Sequence, residues 1–207
     1  MYERSDAPRA IWGYFAIGLC LWFAGEVTWS YLNMTVGEVP IGLQDIFWTV
    51  SYFFLGHALI AQYRVLRQPS AKELLMRVLL GVAAAIILTF VTYWFVISRT
   101  ETSNLFNAIV NSFYPAADLT MAVIALRIAH NLSGGAFSRP WLGLLVFTVS
   151  DFLYAWLEAS GMYAWSLAQG SALTTVADVT YVVAYLVLGL GILYHWLFLK
   201  YGLRRSS

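Results

Sequence analysis

Three carboxylic acids stand inside apolar stretches of this sequence, where an ionised side chain is difficult to accommodate. Glu26, Asp118 and Asp151 each have long hydrophobic runs on both sides. An ionised carboxylate at the centre of a membrane costs on the order of 2.5 to 3.5 kcal/mol. Each acid is therefore expected to be protonated, paired or in contact with an internal wet cavity. Such acids commonly belong to binding or proton-handling sites.

Aromatic and amide side chains recur at helical spacing beside the acids. Residues three or four positions apart lie on one face of a helix. By this rule, five stretches carry an acid with rings, hydroxyls or amides on one face: Trp22, Glu26 and Trp29; Asp45, Trp48 and Tyr52; Asn104, Asn107, Asn111, Tyr114 and Asp118; Asp151, Tyr154 and Glu158; Thr174, Asp178, Tyr181 and Tyr185. An outward-open acidic cavity walled by rings suits a cationic or amphipathic small molecule.

The candidate ligand-binding set drawn from these faces has a competing structural interpretation. The set comprises Trp22, Glu26, Trp29, Asp45, Tyr52, Asn111, Tyr114, Asp118, Asp151, Tyr154, Asp178 and Tyr185. Outer Trp and Tyr residues can instead belong to the interfacial aromatic belt, and Asp45 and Asp178 can be helix N-caps, which is the favoured interpretation for those two. The helix interrupted by Pro115 can equally be a kinked packing helix whose polar groups bond to neighbouring helices. Caps and belts do not account for the three deep acids.

The elements that must position these residues are membrane-spanning helices. Of the 207 residues, 60% are hydrophobic and 11% are charged, whereas a soluble domain has about 25% charged residues. This composition excludes a soluble enzyme, a disordered chain and a nucleic-acid-binding protein. Six apolar stretches are long enough to span a bilayer, at about 11–33, 43–65, 75–97, 105–129, 140–161 and 175–197. The sequence predicts an all-α integral membrane protein, with residues 1–207 forming one polytopic domain.

The basic residues indicate the orientation of these spans. If the N-terminus is cytoplasmic, every Lys and Arg except Arg99 lies on the inner side of the membrane. An excess of basic residues marks cytoplasmic loops. We therefore predict a protein of the cell membrane with both termini in the cytoplasm.

The first and last predicted hairpins share a sequence pattern. An acid, a ring, a tyrosine and a glycine follow one another in both second helices, as Asp45, Trp48, Tyr52 and Gly56 and again as Asp178, Tyr181, Tyr185 and Gly189. Upstream, an acid is followed three residues later by a ring, as Glu26 and Trp29 and again as Asp151 and Tyr154. An even number of spans separates the two copies. The pattern therefore predicts a parallel repeat about an axis along the membrane normal.

These motifs together resemble a known family, the multipass membrane-embedded sensory regions that precede histidine-kinase or diguanylate-cyclase modules in bacterial and archaeal signalling proteins. The resemblance lies in Glu26-Val-Thr-Trp29, Pro40, Asp45 with Tyr52, Tyr114-Pro115-Ala-Ala-Asp118, and Asp151-Phe-Leu-Tyr154. It implies a membrane sensor that binds a small molecule and acts on a signalling partner protein. An output module of either kind is not found within the 207 residues.

Two other functions stay open at the level of sequence. Asp118 and Asp151 differ in predicted depth by only about 5 Å, so they could be the acid/base pair of an intramembrane lipid hydrolase. Ser150-Asp151 also resembles part of the lysoplasmalogenase family. The repeat and the helix broken at Pro115 would suit a small transporter as well.

No cofactor or metal is expected. His57 and His195 differ in predicted depth by roughly 7 Å, which is unfavourable for a pair of axial haem ligands. The sequence has no His-x-x-x-His or His-Cys cluster that would hold zinc. Its lysines, Lys72 and Lys200, lie near the inner surface, so a retinal Schiff base within a span is excluded.

Overall fold

The structure, a computed structural model, describes residues 7–37, 41–66, 90, 105–132, 137–159, 162 and 172–201. These residues form helices and no strand, which confirms the predicted all-α class for this part of the chain. The helices are α1 (Ala7–Thr35), α2 (Leu43–Leu66), α3 (Leu105–Asn131), α4 (Arg139–Ala159) and α5 (Ala172–Tyr201). The span predicted at about 75–97 falls outside the described residues, except for the helical residue Phe90.

The chain divides into two compact units, Met1–Gln68 and Pro69–Ser207. In the first unit, α1 packs along α2. In the second unit, α4 lies between α3 and α5 and packs against both of them. Short connections join α1 to α2 and α3 to α4, so each of these pairs is an antiparallel hairpin.

Three of the described helical segments are long and apolar enough to cross a membrane. They are Arg9–Thr35 in α1, Arg139–Leu157 in α4 and Ala172–Tyr201 in α5. Helices α2 and α3, with 24 and 27 residues, are also long enough, because about 20 residues suffice. Polar residues such as Gln44 and Asp45 reduce the hydropathy of α2. The structure therefore shows several apolar helices typical of a membrane protein, and the count of six spans stays a prediction.

The start of α2 and the start of α5 differ in how an aspartate is placed. The Gly42 backbone N–H donates a hydrogen bond of 2.8 Å to Asp45 Oδ2. Asp45 therefore stabilises the beginning of α2 from its third residue, in the manner of the acid of a capping box. The N-cap role favoured for both aspartates is wrong in detail: Asp45 is the third residue of α2, and Asp178 lies beyond the first turn of α5, which begins at Ala172. Asp178 is exposed there.

Helices α1 and α2 pack closely at a glycine and are joined by a contact between aromatic rings. A Cβ on Gly18 would lie 2.7 Å from Leu55 Cγ, so the two helices approach closely at this point. Ser51 Oγ donates a buried hydrogen bond of 2.8 Å to the Gly18 carbonyl oxygen. One turn further along α1, the Trp22 ring meets the Tyr52 ring edge to face, with centroids 5.0 Å apart.

Helices α4 and α5 also pack closely at a glycine and make a ring contact, at the positions aligned with those of α1 and α2. A Cβ on Gly143 would lie 2.6 Å from Leu188 Cα, as Gly18 approaches Leu55 in the first hairpin. The rings of Phe147 and Tyr185 have centroids 5.0 Å apart at an interplanar angle of 68°, against 71° for Trp22 and Tyr52. These contacts follow the alignment in which Tyr52 matches Tyr185, so packing inside each hairpin agrees with the shared sequence pattern.

Candidate functional site

In the first unit, the candidate residues of α1 and α2 lie close together. Glu26 is partly buried, and its Oε1 accepts a hydrogen bond of 3.1 Å from the indole Nε1 of Trp22. Trp22 is buried and contacts the ring of Tyr52. The predicted acid and rings of this hairpin thus form a single group in which the acid is held by an indole donor.

Trp48 of α2 packs against α1 beside this first group. A Cβ on Gly25 would lie 2.5 Å from both Cδ1 and Nε1 of Trp48, so the indole packs directly on the backbone of α1. Trp29 is partly buried. The close approach of Trp48 leaves no room for a larger side chain at position 25.

In the second unit, Asp118 is the most deeply buried acid among the described residues. It lies near the middle of α3 and has no exposed surface. Pro115, also buried, precedes it by three residues inside the helix. A proline within a helix leaves the carbonyl four residues earlier without its usual donor, and in a membrane this is tolerated where a neighbour, water or ligand replaces it. Tyr114 is partly buried.

Asp118 and Asp151 lie at nearly the same height in the hairpin of α3 and α4. Asp118 is 13 residues before the end of α3 at Asn131, and Asp151 is 12 residues after the start of α4 at Arg139. Since a short connection joins these helix ends, the difference of one residue corresponds to about 1.5 Å of rise. By this count the two acids lie at similar heights.

A continuous series of aromatic rings connects α4 to α5 beside Asp151. Phe147 contacts Tyr185 and Tyr181, with centroids 5.0 and 6.0 Å apart. Tyr181 contacts Tyr154 at 5.7 Å, and its hydroxyl lies 3.3 Å from the hydroxyl of Tyr185. We refer to Phe147, Tyr154, Tyr181 and Tyr185 as the ring cluster. It joins two residues of the predicted set, Tyr154 and Tyr185, into one contiguous group.

Asp151 belongs beside this ring cluster by its position on α4. It is partly buried and follows Phe147 by four residues and precedes Tyr154 by three, so it shares their side of the helix. A carboxylate next to aromatic rings can hold an organic cation through ion pairing and cation–π contact. Asp178 lies three residues before Tyr181 on α5 and is exposed.

The predicted binding set leaves out Phe147 and Tyr181 of the ring cluster and the neighbouring Ser150. Phe147 precedes Asp151 by one helical turn, and that spacing was sufficient to identify it. Ser150 belongs in sequence to a short motif with Asp151, and in the structure it is buried. The burial of Ser150 could not be predicted from sequence without knowing which positions of α4 face α5.

The three deep acids are divided between the two units. Glu26 belongs to the first unit, whereas Asp118 and Asp151 belong to the second, and each unit is described by itself. A cavity shared by these three acids therefore stays a prediction. The side chains of Asn111 and Glu158 lie outside the described part of the structure.

The histidines and possible metal ligands are separated in the described residues. His57 is exposed in α2, with its ring 4.3 Å from the ring of Tyr14. His195 is buried near the end of α5, with its ring 5.2 Å from that of Phe137. Within the ranges that the structure describes, no group of three or more His, Cys, Asp and Glu residues is placed to hold a metal ion.

A function for this chain is inferred from its own residues and contacts. Comparison with protein-family models, with curated proteins and with solved structures finds no match.

Proposed function

We propose that this protein is a membrane-embedded sensor that binds a cationic or amphipathic small molecule at an acidic, ring-lined site. The observation that carries the proposal is the ring cluster between α4 and α5, with Asp151 on the same side of α4. Within an apolar helix, a carboxylate is costly unless a positive group or a polar cavity offsets the cost. A bound organic cation does so, and the faces of the rings add attraction for the same charge.

The proposed site is formed by the hairpin of α4 and α5, which we call the second hairpin, and by α3, the helix that precedes it. Asp151 and the ring cluster supply the contacts to the cation, and Asp118 adds a buried acid at a similar height on α3. Tyr114, which is partly buried on α3 one residue before Pro115, belongs to the proposal as a further residue of this site.

Six spans with cytoplasmic termini are part of the proposal. In the second hairpin, Arg139 at the start of α4 and Lys200 near the end of α5 lie toward the same end. If this basic end is cytoplasmic, Asp151 and Tyr154 lie in the outer half of the hairpin. The ligand would then enter from outside, as expected for a receptor of external molecules.

The sensing role is supported by the resemblance to membrane-embedded sensory regions and by the course of α5. This helix carries Tyr181 and Tyr185 in its first half and continues to Tyr201 at the basic end. A ligand that shifts these rings would move one continuous helix, whose far end would contact a signalling partner protein. Matched contacts within the two hairpins support the proposal that they are a parallel internal repeat.

The test of binding uses nonyltrimethylammonium, a simple amphipathic cation, with the purified protein in lipid nanodiscs. Asp151→Asn keeps the shape of the side chain and removes its charge, so we expect its affinity for the probe to fall by at least about tenfold. Isothermal titration calorimetry measures the change. Glu73→Gln, which removes an acid outside the predicted spans, is the matched control and should bind as the wild type does.

A ring substitution separates cation–π binding from simple charge attraction. Tyr154→Phe should retain affinity for the probe, whereas Tyr154→Leu should reduce it. Phe53→Leu, at an exposed ring of α2, controls for the loss of an aromatic residue. If the probe does not bind the wild type, or binds the Asp151→Asn variant equally well, the proposed function is wrong.

An intramembrane lipid hydrolase is the second candidate function. The observation that favours it is the similar height of Asp118 and Asp151 on two packed helices, which suits an acid/base pair acting on one bond. Release of aldehyde from an alkenyl lysophospholipid by the wild type, lost in both Asp118→Asn and Asp151→Asn, would favour the hydrolase over the sensor.

A further inference from the structure

The hydroxyl of Ser150 differs from other described hydroxyls in the apolar helices. Ser150 is 4% exposed, and its Oγ makes no hydrogen bond to any residue that the structure describes. Other hydroxyls on these helices donate to a backbone carbonyl, as do Thr28, Ser51, Thr120, Thr148 and Thr180. A buried donor without an acceptor is unfavourable, and the i−4 carbonyl is within reach of most helical hydroxyls. The orientation of the Ser150 hydroxyl therefore needs an explanation.

Ser150 lies on the surface of α4 that packs against α5. It follows Gly143 by seven residues and Phe147 by three, and it precedes Tyr154 by four, which is the spacing of one helical face. Gly143 approaches Leu188 of α5, and the other two residues contact rings of α5. The hydroxyl is thus enclosed between the two helices at the level of the ring cluster.

The aligned position in the first hairpin is filled differently. Ser150 matches Gly25, and Tyr181 matches Trp48. In the first hairpin, the Trp48 indole occupies the space where a side chain at position 25 would stand. The second hairpin has a smaller phenol ring and adds a hydroxyl at this point. The position is therefore filled by the Trp48 indole in the first hairpin, whereas in the second hairpin it carries the hydroxyl of Ser150.

We infer that Ser150 Oγ donates a hydrogen bond to the ligand, and that the ligand carries an oxygen acceptor close to its positive charge. Ser150 and Asp151 are consecutive, with Cα atoms 3.8 Å apart, so groups bound to them must be separated by only a few bonds. An ammonium group with an ether, ester or hydroxyl oxygen two carbons away satisfies both residues. The inference rests on the proposed function and specifies its ligand class as an amino alcohol or a derivative of one.

Two probes that differ in one atom test this inference. The hexyl ether of choline and nonyltrimethylammonium have the same charge and chain length, but only the ether has an oxygen near the ammonium group. We expect wild-type protein in nanodiscs to bind the ether about five- to tenfold more tightly. Ser150→Ala should lose this preference by binding the ether as weakly as the alkyl probe, while its affinity for the alkyl probe stays unchanged.

Thr148→Val provides the matched control, because it removes a buried hydroxyl of α4 that is already bonded to the Leu145 carbonyl oxygen. This variant should keep the preference for the ether. If Ser150→Ala does not fold, Ser150→Cys, a close replacement with a weaker donor, should reduce the preference in part.

The outcomes separate this inference from the proposed function. Equal binding of both probes by the wild type, or a preference that survives in Ser150→Ala, overturns the role of Ser150 and leaves the cation site intact. Failure of the alkyl probe to bind the wild type overturns the proposed function, and the ligand class with it.

Discussion

Hydroxyl groups in these apolar helices serve different purposes according to the acceptor that they reach. Thr28 and Thr120 donate to carbonyls four residues earlier in their own helices, which satisfies the group locally and adds nothing between helices. Ser51 instead donates across to Gly18, so its hydrogen bond joins α2 to α1. This difference follows from position, because Ser51 stands opposite Gly18, where the backbones of α1 and α2 approach closely. Such cross-helix bonds stabilise membrane hairpins modestly, by about 0.6 kcal/mol on average.

The contribution of this hydrogen bond to stability can be measured by removing it from the first hairpin and by introducing it into the second. Ser51 matches Ala184, which is buried in α5, and Gly18 matches Gly143. Ser51→Ala should therefore destabilise the protein by only about 0.5 to 1 kcal/mol, since alanine already fits the aligned site. Ala184→Ser should stabilise it by a similar amount through a new bond to the Gly143 carbonyl. Reversible unfolding in mixed micelles measures both; a loss above about 2 kcal/mol for Ser51→Ala would contradict this account.

Close packing of helices depends on glycines whose neighbours differ in how far they can move. A Cβ on Gly18 would meet the side chain of Leu55, which can adopt another rotamer. A Cβ on Gly143 would meet Leu188 Cα, which is backbone and cannot move without separating α4 from α5. The second contact therefore constrains its hairpin more strictly than the first.

Alanine substitutions should reveal this difference between the helix pairs. Gly143→Ala is expected to destabilise the protein by about 1 to 3 kcal/mol or more through overpacking, and Gly18→Ala by less. Gly189→Ala is the control, because a Cβ there meets nothing within 4 Å; it should be neutral or slightly stabilising. Unfolding in mixed micelles gives the order. Equal effects at Gly143 and Gly189 would show that the close approach is not required.

The sequence predicts the helices of this protein more accurately than the contacts between them. Apolar runs long enough to span fix the five described helices to within about four residues, because length and hydropathy are local properties. Periodicity also identifies which residues share a face, as it does for Asp151 and Tyr154. It does not identify the ring that a face meets, so the contacts of Phe147 and the burial of Ser150 needed the structure. The sequence likewise does not decide whether Asp45 of α2 binds a ligand or stabilises the start of its helix. The hydrogen bond from the Gly42 backbone N–H shows that Asp45 stabilises the helix start.

At the scale of the whole molecule, charge and rings are arranged along the second hairpin in a consistent order. Arg139 lies over the ring of Tyr194, with Cζ 3.5 Å from the centroid, and Lys200 Nζ lies 4.6 Å from the ring of Trp196. Basic groups on aromatic rings at one end are typical of a helix pair anchored at an interface. Asp151 and Tyr154 lie in the half of α4 away from Arg139, so the proposed site is nearer to the end of the hairpin opposite these basic residues.

This arrangement predicts which connections of the chain lie on each side of the cell membrane. Single cysteines at Asn131 and Met162, both exposed, flank α4; Cys20 is first replaced by serine because it is an exposed free thiol. In intact cells, a membrane-impermeant maleimide should label Met162→Cys, whereas Asn131→Cys should react only after permeabilisation. The reverse pattern would place the basic end outside and the site toward the cytoplasm. Equal labelling of both in intact cells would show that α4 does not cross the membrane, and a ligand-binding site within the bilayer would then lose its physical basis.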